Sequence, residues 1–174
     1  MTKAQTDVRI RPREPRDDGA IAVLLAAAFA GGIDEIRLVE TLRRDCDCVC
    51  ELIACEDDAL IGHVLFSRLS VTSASQSLHA VALAPLAVTP ARQRSGIGDA
   101  LTRAGLKVCT EAGLELALVL GHPAYYPRFG FSALLAKLLD APYRGDSFMA
   151  LELKPGSISG LKWRVAYPRA FSLI

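Results

Sequence analysis

The sequence has little net charge and no long hydrophobic segment, and both features restrict its function. Its 174 residues carry a formal net charge of +1, so we expect no broad basic surface of the kind that binds nucleic acid. The longest apolar run, residues 20–33, is shorter than the roughly 18–20 residues that cross a bilayer. We therefore expect no membrane segment or signal peptide, and a cytoplasmic location by default.

Cysteine is scarce, and its spacing is unlike that of a metal site. Three of the five cysteines fall in the stretch CDCVC, at positions 46, 48 and 50. Residues two apart share one face of a strand, whereas zinc-ligand pairs usually have two to four residues between them. The spacing predicts reduced, unligated cysteines on one face of a strand and no bound metal.

The hydrophobic pattern predicts one α/β domain over residues 1–174, of the α+β kind. A chain of this length buries one substantial core, and no repeat, low-complexity tract or linker divides it. We predict six or seven strands in a mixed sheet with flanking helices. Asp17 or Asp18 is expected to cap the first helix and Gly31-Gly32 to end it, while Pro85 is expected to break its strand locally. The predicted strands cover 7–11, both arms of a hairpin over 49–71, 78–89, 115–121, 148–154 and a segment near 163, and the helices cover 15–30, 34–45 and 98–112.

The stretch 88–101 combines glycine and arginine at the point where a buried strand leads into a helix. It reads VTPARQRSGIGDAL, and the N–H groups at a helix N-terminus favour an anion. Gly96 and Gly98 let an anion approach the backbone, and Arg92 and Arg94 add positive charge. The spacing matches neither the dinucleotide-binding pattern nor the Walker loop. The residues alone leave two interpretations, a phosphate-binding loop or an ordinary helix start with solvated arginines.

Two motifs resemble a known family. The stretch LAPLAVTPARQRSGIGDAL resembles the acyl-CoA signature of the GNAT superfamily of N-acyltransferases, Gln/Arg-x-x-Gly-x-Gly/Ala, which residues 93–98 match position by position. Downstream, AYYPRFGF is similar to the Tyr-x-x-x-Gly-Phe segment of that superfamily, with Tyr126 four residues before Gly130. The resemblance runs from about Val8 to Phe131, and the fuller pattern is similar to the bacterial YhbS-type branch. Two motifs in the expected order are more specific than either alone.

The resemblance implies a fold and a set of binding residues. The sheet would be mixed and mostly antiparallel, and its fourth strand would splay from the fifth so that the pantetheine arm of acetyl-CoA lies between them. The backbone of three residues would contact the pantetheine: Leu86, Ala87 and Val88. Six consecutive residues would hold the pyrophosphate: Gln93, Arg94, Ser95, Gly96, Ile97 and Gly98. The implied partners are acetyl-CoA as co-substrate and an amine acceptor, with no metal, in a monomer or homodimer.

Acyl transfer from a thioester to an amine needs a base for the amine proton and an acid for the departing thiolate. By the resemblance, Tyr126 would lie near the thioester sulfur. Its hydroxyl is the candidate general acid, and the alternative is a ring that only packs on the cofactor. The candidate base is His79 or His122, because the unperturbed pKa of histidine suits that role, with Glu51 or a water chain as further alternatives. His63 is expected to pack in its strand or lie at the surface.

We therefore expect an N-acetyltransferase that moves an acetyl group from acetyl-CoA to a primary amine of a small molecule or protein, by direct attack in a ternary complex. Two alternatives remain, an acyl-CoA-binding sensor without turnover and a module that binds another nucleotide. Turnover distinguishes the enzyme from the sensor, and a preference for CoA over ATP distinguishes both of them from a module that binds another nucleotide. No motif identifies the acceptor, whose pocket is expected between the first two helices and the loops 72–78 and 140–147.

Overall fold

The computed structural model describes residues 7–174, so residues 1–6 of the predicted domain lie outside the described residues. The strands are β1 (Val8–Pro12), β2 (Cys48–Glu56), β3 (Ala59–Thr72), β4 (Ser77–Val88), β5 (Leu116–Leu120), β6 (Leu139–Asp140), β7 (Phe148–Glu152) and β8 (Trp163–Ala166). The helices are α1 (Asp18–Ala28), α2 (Ile33–Arg44), α3 (Ile97–Glu111) and the single turn α4 (Ala133–Ala136).

These strands form one mixed sheet. Its main path is β1-β2-β3-β4-β5-β7, in which only the β4–β5 pair is parallel. A branch joins β8 antiparallel to β3 and β6 parallel to β8. The predicted class, a mixed and mostly antiparallel sheet with flanking helices, is confirmed. The strand that the sequence did not predict is β6, whose two residues are too few to show a periodic pattern.

The side chains of β2 and β3 alternate between two packed faces of the sheet. Ile53 and Leu65 pack with α1 and α2 on one face, and Val64 and Phe66 pack with α3 on the other. Gly105, in the middle of α3, lets the helix come close to the sheet, because a Cβ there would lie 2.2 Å from the Phe66 ring. The helices therefore cover both faces and leave one end of the β4–β5 pair open.

The start of α1 differs from the prediction. Asp17 occupies the position before the helix, but its carboxylate accepts hydrogen bonds from the Arg11 guanidinium at 2.7 and 2.8 Å and from the Glu14 N–H at 2.8 Å. Asp18 pairs with Arg13 and Arg43. The expectation that one of these aspartates caps α1 is therefore wrong, because nearby arginines compete for both carboxylates.

The pairing between β4 and β5 ends early. It runs from Ala80 to Leu83 on β4, whereas β4 continues to Val88 beside β3. The β3–β4 register shifts opposite Pro85, so the expected local break is a bulge in a continuous strand. Beyond Leu83, no other strand of residues 7–174 pairs with the β5-facing edge of β4. The predicted splay of these two strands is confirmed, and it opens a gap in the sheet.

The three clustered cysteines do not share a face. Cys46 precedes β2 in a turn with φ 60°, and the register shifts between Cys48 and Cys50. Cys48 therefore packs with α1 and α2, while Cys50 packs with α3. Among residues 7–174 all five cysteines are free thiols, and no group of three or more His, Cys, Asp or Glu side chains is placed to hold a metal. In the same residues, each helix is too short or too polar to span a membrane.

Candidate functional site

Two cavities meet where β4 and β5 separate. The inner cavity has a volume of about 520 Å³, and its walls include residues 82–86 of β4 and residues 119–122 at the end of β5. The loop cavity has a volume of about 600 Å³ and lies at the start of α3. Leu86 and Tyr125 line both cavities. The gap in the sheet thus lies between the glycine-containing loop and the inner cavity.

The loop before α3 presents its backbone donors to the loop cavity. Arg94 and Gly96 both have left-handed backbones, with φ of 59° and 87°. Within residues 7–174, the N–H groups of residues 94–99 donate to no protein acceptor. Successive free N–H groups at the N-terminus of a 15-residue helix form a site for an anion.

The six predicted loop residues contribute in different ways. Four of them line the loop cavity: Gln93, Arg94, Gly96 and Gly98. The Ser95 hydroxyl donates a hydrogen bond to the Arg92 carbonyl at 2.5 Å, and the Ile97 side chain is buried in the core. These two residues therefore offer their backbone alone. Arg92, expected to add charge, pairs instead with Glu56 at 2.7 Å.

Three residues at the loop cavity were not predicted from the sequence: Asp99, Tyr125 and Arg128. The Arg128 guanidinium stacks 4.6 Å from the centroid of the Tyr125 ring and lies 3.3 Å from Asp99. The Tyr125 hydroxyl lies over the loop, 2.8 Å from where a Cβ of Gly98 would be. Burial, and then the Asp99 carboxylate, raise the pKa of Tyr125. Its hydroxyl thus remains protonated at neutral pH and can donate to an anion.

The free edge of β4 offers backbone groups to the gap. Thr89 donates its N–H to the Ile61 carbonyl of β3 at 2.9 Å. Backbone groups alternate in direction along an antiparallel strand, so those of Leu86 and Val88 point away from β3 and toward the gap. The Val88 carbonyl accepts a hydrogen bond from Gln93 Nε2 at 3.2 Å. Ala87 faces the core beneath α1 and α2.

Tyr126 lies in the wall of the inner cavity. It begins the 3-10 turn Tyr126–Phe129 that follows β5, and it is 9% exposed. Gly121 provides the space for its ring, since a Cβ there would lie 2.2 Å from a Tyr126 ring carbon. Phe131 packs edge-on against the ring, with centroids 5.8 Å apart. Burial raises the pKa of Tyr126 to about 12, which keeps the hydroxyl protonated at neutral pH.

The two candidate histidines occupy different ends of the sheet. His122 lines the inner cavity, and its Nδ1 accepts the Ala124 N–H at 3.2 Å. His79 is exposed near the start of β4, and its backbone N–H donates a hydrogen bond to the Glu115 carboxylate at 3.1 Å. The gap opens four residues further along β4, after Leu83. The structure therefore brings His122 to the cavity that Tyr126 lines, and does not bring His79 there.

Glu51, the carboxylate alternative for the base, belongs to a buried ion network. It accepts hydrogen bonds from Arg43 Nε at 3.0 Å and from His63 Nε2 at 2.7 Å. Burial tends to raise the pKa of Glu51, but the hydrogen bonds from His63 and Arg43 outweigh burial and lower the pKa to about 2. His63 is itself fully buried, at 0% exposure. Glu51 thus connects α2 to β3 and does not line the inner cavity.

The far wall of the inner cavity comes from three parts of the chain. It includes Phe29, which directly follows α1, Glu35 and Leu38 of α2, and Tyr143 of the loop 140–147, all in or beside segments where the acceptor pocket was expected. The remaining wall, Tyr167, Phe171 and Ile174, was not predicted. The loop 72–78 was expected here, but residues 72–74 line a separate cavity beside 162–164.

Comparison with known proteins gives a consistent result. The model of the acetyltransferase (GNAT) domain matches residues 9–134. The N-acetyltransferase YhbS of Escherichia coli K12 is 32% identical over 166 residues, which cover 94% of this chain and 98% of that protein.

Solved structures extend this likeness to the whole fold. The structure of Escherichia coli YhbS in complex with CoA has a TM-score of 0.87 and 31% identity, covering 99% of this chain and 96% of that one. A GNAT acetyltransferase from Brucella melitensis, solved with acetyl-CoA, has a TM-score of 0.78 and 32% identity, covering 96% of this chain and 99% of that one. Sequence motifs, fold and matched length agree, and the chain belongs to the GNAT family of acetyltransferases.

Proposed function

We propose that the protein transfers an acetyl group from acetyl-CoA to a primary amine, by direct attack in a ternary complex. The observation that carries this proposal is the gap between β4 and β5, beside which the loop cavity and the inner cavity share Leu86 and Tyr125. A CoA thioester needs such an arrangement, with a polar site for its phosphates, a narrow passage for its pantetheine arm and an interior space for its acyl group.

Each part of the cofactor has a matching group in the protein. The pyrophosphate oxygens accept hydrogen bonds from the free backbone N–H groups of residues 94–99, and Arg94 and Arg128 contribute positive charge. The pantetheine amides pair with the gap-facing backbone of Leu86 and Val88. The thioester then lies in the inner cavity beside Tyr126. The similar structures that were solved with CoA and with acetyl-CoA support this placement.

The reaction requires two proton transfers. A neutral amine attacks the thioester carbonyl carbon, so a C–N bond forms and the carbonyl oxygen becomes an oxyanion. Collapse of this intermediate reforms the carbonyl and breaks the C–S bond, and the departing thiolate takes the proton of the Tyr126 hydroxyl. The base takes the surplus proton of the attacking nitrogen, and exchange with water returns a proton to Tyr126.

His122 is the stronger of the two candidate bases, because it lines the inner cavity and His79 does not. The Ala124 N–H points at His122 Nδ1, which selects the tautomer with its proton on Nε2. To accept the amine proton, Nδ1 must therefore exchange its bond to Ala124 for one to the substrate or to a bridging water.

Turnover tests the proposal. CoA release from acetyl-CoA is measured against a panel of polyamines, amino acids, aminoglycosides, peptides and arylalkylamines. We expect at least one amine to be acetylated, with product confirmed by mass spectrometry. Tight acetyl-CoA binding without turnover on any amine would instead identify a sensor.

A further inference from the structure

The far wall of the inner cavity is predominantly aromatic. Tyr167 lies at its centre, edge-on to Tyr143 with ring centroids 5.0 Å apart and to Phe171 at 4.9 Å. Phe171 also packs against the core beneath α1 and α2, so its 3-10 turn, Arg169–Ser172, and the helices form one continuous surface. Such a surface suits a flat apolar group, because aromatic rings pack edge-on and offset against one another.

One acidic side chain interrupts this apolar surface. Glu35, in the first turn of α2, is half-buried and lines the cavity. Among the described residues that line it, Glu35 has the only acidic side chain, and there is no lysine or arginine. Within residues 7–174, the Glu35 carboxylate forms no ion pair and accepts no hydrogen bond.

A carboxylate in an apolar cavity is costly to desolvate unless a cation accompanies it. A substrate ammonium would supply that cation, and the faces of the surrounding rings attract it as well. A long acyl chain in the same space would place methylene groups against the Glu35 carboxylate and would bring no cation, so it fits this cavity less well than an amine does. A polyamine or aminoglycoside carries several ammonium groups, whereas Glu35 is the only acidic side chain among the described residues that line the cavity.

We propose, resting on the acetyl-transfer function above, that the acceptor is a monoamine whose ammonium lies on a short arm next to an aromatic body. Glu35 binds the ammonium before its deprotonation, and Tyr143, Tyr167 and Phe171 pack against the body. Glu35 is thus a specificity-determining residue for the acceptor and has no role in holding the cofactor.

The first test compares three amines as acceptors in the CoA-release assay: 2-phenylethylamine, ethylamine and spermidine. The uncharged analogue 2-phenylethanol serves as an inhibitor in the same assay. Burial of a phenyl group favours binding strongly enough that we expect kcat/KM for 2-phenylethylamine to exceed that for ethylamine by at least about tenfold. Spermidine should also be a poorer substrate than 2-phenylethylamine. Equal or better turnover of ethylamine or spermidine would overturn the inference.

The second test replaces the charge alone. Glu35→Gln should raise KM for 2-phenylethylamine by roughly tenfold or more, the usual effect of losing a charged hydrogen bond. Inhibition by 2-phenylethanol should be unchanged, because this compound carries no cation. Asp34→Asn is the matched control, since Asp34 is exposed in the same helical turn and does not line the cavity. An unchanged KM in Glu35→Gln would overturn the inference.

Calorimetry separates this inference from the proposed function. Acetyl-CoA should bind wild type and Glu35→Gln equally, and failure to bind wild type would overturn the proposed function alone. The inference has its own readout in the protein without cofactor, where 2-phenylethylamine should raise the melting temperature of wild type more than that of Glu35→Gln. Equal shifts in the two proteins would contradict a role for the Glu35 charge.

Discussion

Tyr125 and Tyr126 are neighbours in the chain but serve different parts of the ligand in our account. The Tyr125 hydroxyl lies over the loop beside Gly98, and Arg128 covers its ring. Tyr126 is turned inward against Gly121 and Phe131. We therefore assign Tyr125 to the phosphates and Tyr126 to the thioester sulfur. This difference in surroundings makes the pair a natural internal control.

Removing the Tyr126 hydroxyl tests its role as the general acid. Tyr126→Phe keeps the ring and its packing, so we expect kcat to fall by roughly 10²-fold or more while the Kd for acetyl-CoA changes little. The decrease should shrink with an acyl donor whose thiol is more acidic, since that leaving group needs a proton less. Steady-state kinetics with the best amine of the panel measure both effects.

Tyr125→Phe is the matched control, and it should lower kcat far less than Tyr126→Phe while weakening acetyl-CoA binding. A wild-type rate in Tyr126→Phe would mean that the ring only packs and that water or another side chain protonates the thiolate.

A substitution at Gly96 tests whether the backbone conformation of the loop is needed for the anion site. Its φ of 87° is unfavourable for a β-branched residue, and a Cβ there would project into open space. In Gly96→Val the loop must adopt another conformation, which redirects its N–H groups. We expect the calorimetric affinity for acetyl-CoA to fall by at least about tenfold, as for the loss of one or more charged hydrogen bonds.

Gly113→Val is the control for backbone strain. Gly113 follows the other end of α3 with φ 80°, and a Cβ there would also meet open space. This variant should lose stability but bind acetyl-CoA as wild type does. Comparable loss of affinity in both variants would show that strain in α3, and not the anion site, explains the effect.

At the scale of elements, a buried network of ion pairs and hydrogen bonds connects α2 to the sheet. Arg43 of α2 contacts Glu51 of β2, which in turn accepts from His63 of β3. Glu51 is 6% exposed at its side chain, so breaking the network would leave buried charge without a partner. α2 also carries Glu35 and Leu38 into the cavity wall. The network therefore stabilises one wall of the cavity from a distance.

The lowered pKa of Glu51 makes this network sensitive to acid. The folded pKa is about 2 and the ordinary value is 4.5, so the contribution of Glu51 is fully present above the unfolded pKa and is lost as pH falls through the folded pKa. The shift corresponds to roughly 3 kcal/mol. We expect Glu51→Gln to lower the free energy of unfolding at pH 7 and to flatten its decline between about pH 4.5 and 2.

Denaturant unfolding at a series of pH values measures both effects. Glu40→Gln, at an exposed position of the same helix, should reproduce the wild-type profile. A Glu51→Gln protein whose stability declines as steeply with acid as that of wild type would show that other carboxylates dominate the acid response.

At the scale of the whole molecule, local features were predictable from the sequence and distant associations were not. The loop 93–98 and its helix are contiguous in the chain, so glycine, arginine and a helix start suggested an anion site as one of two interpretations, and the resemblance to the acyl-CoA signature favoured it. The bulge between Cys48 and Cys50 arises from pairing with β3, which the spacing of the cysteines does not reveal. The wall formed by Glu35, Tyr167 and Phe171 depends on chain segments more than 130 residues apart meeting across the sheet.

The C-terminal part of the chain completes the sheet. β7 pairs with β5 along its whole length, and β8 pairs with β3. Tyr167, Phe171 and Ile174 then contribute to the inner cavity. We therefore propose that the chain is a single domain in which residues 132–174 are needed for both the fold and the acceptor pocket.

The central claim is that the gap between β4 and β5, with its loop, is a site for acetyl-CoA. The most direct measurement is the melting temperature of the protein with acetyl-CoA and with equimolar ATP. A ligand that binds only the folded state stabilises it by mass action, by about 4 kcal/mol at a thousandfold excess over its Kd. We expect acetyl-CoA to raise the melting temperature well above any effect of ATP, which lacks the pantetheine arm that the gap accommodates. Equal stabilisation by the two ligands would contradict the account.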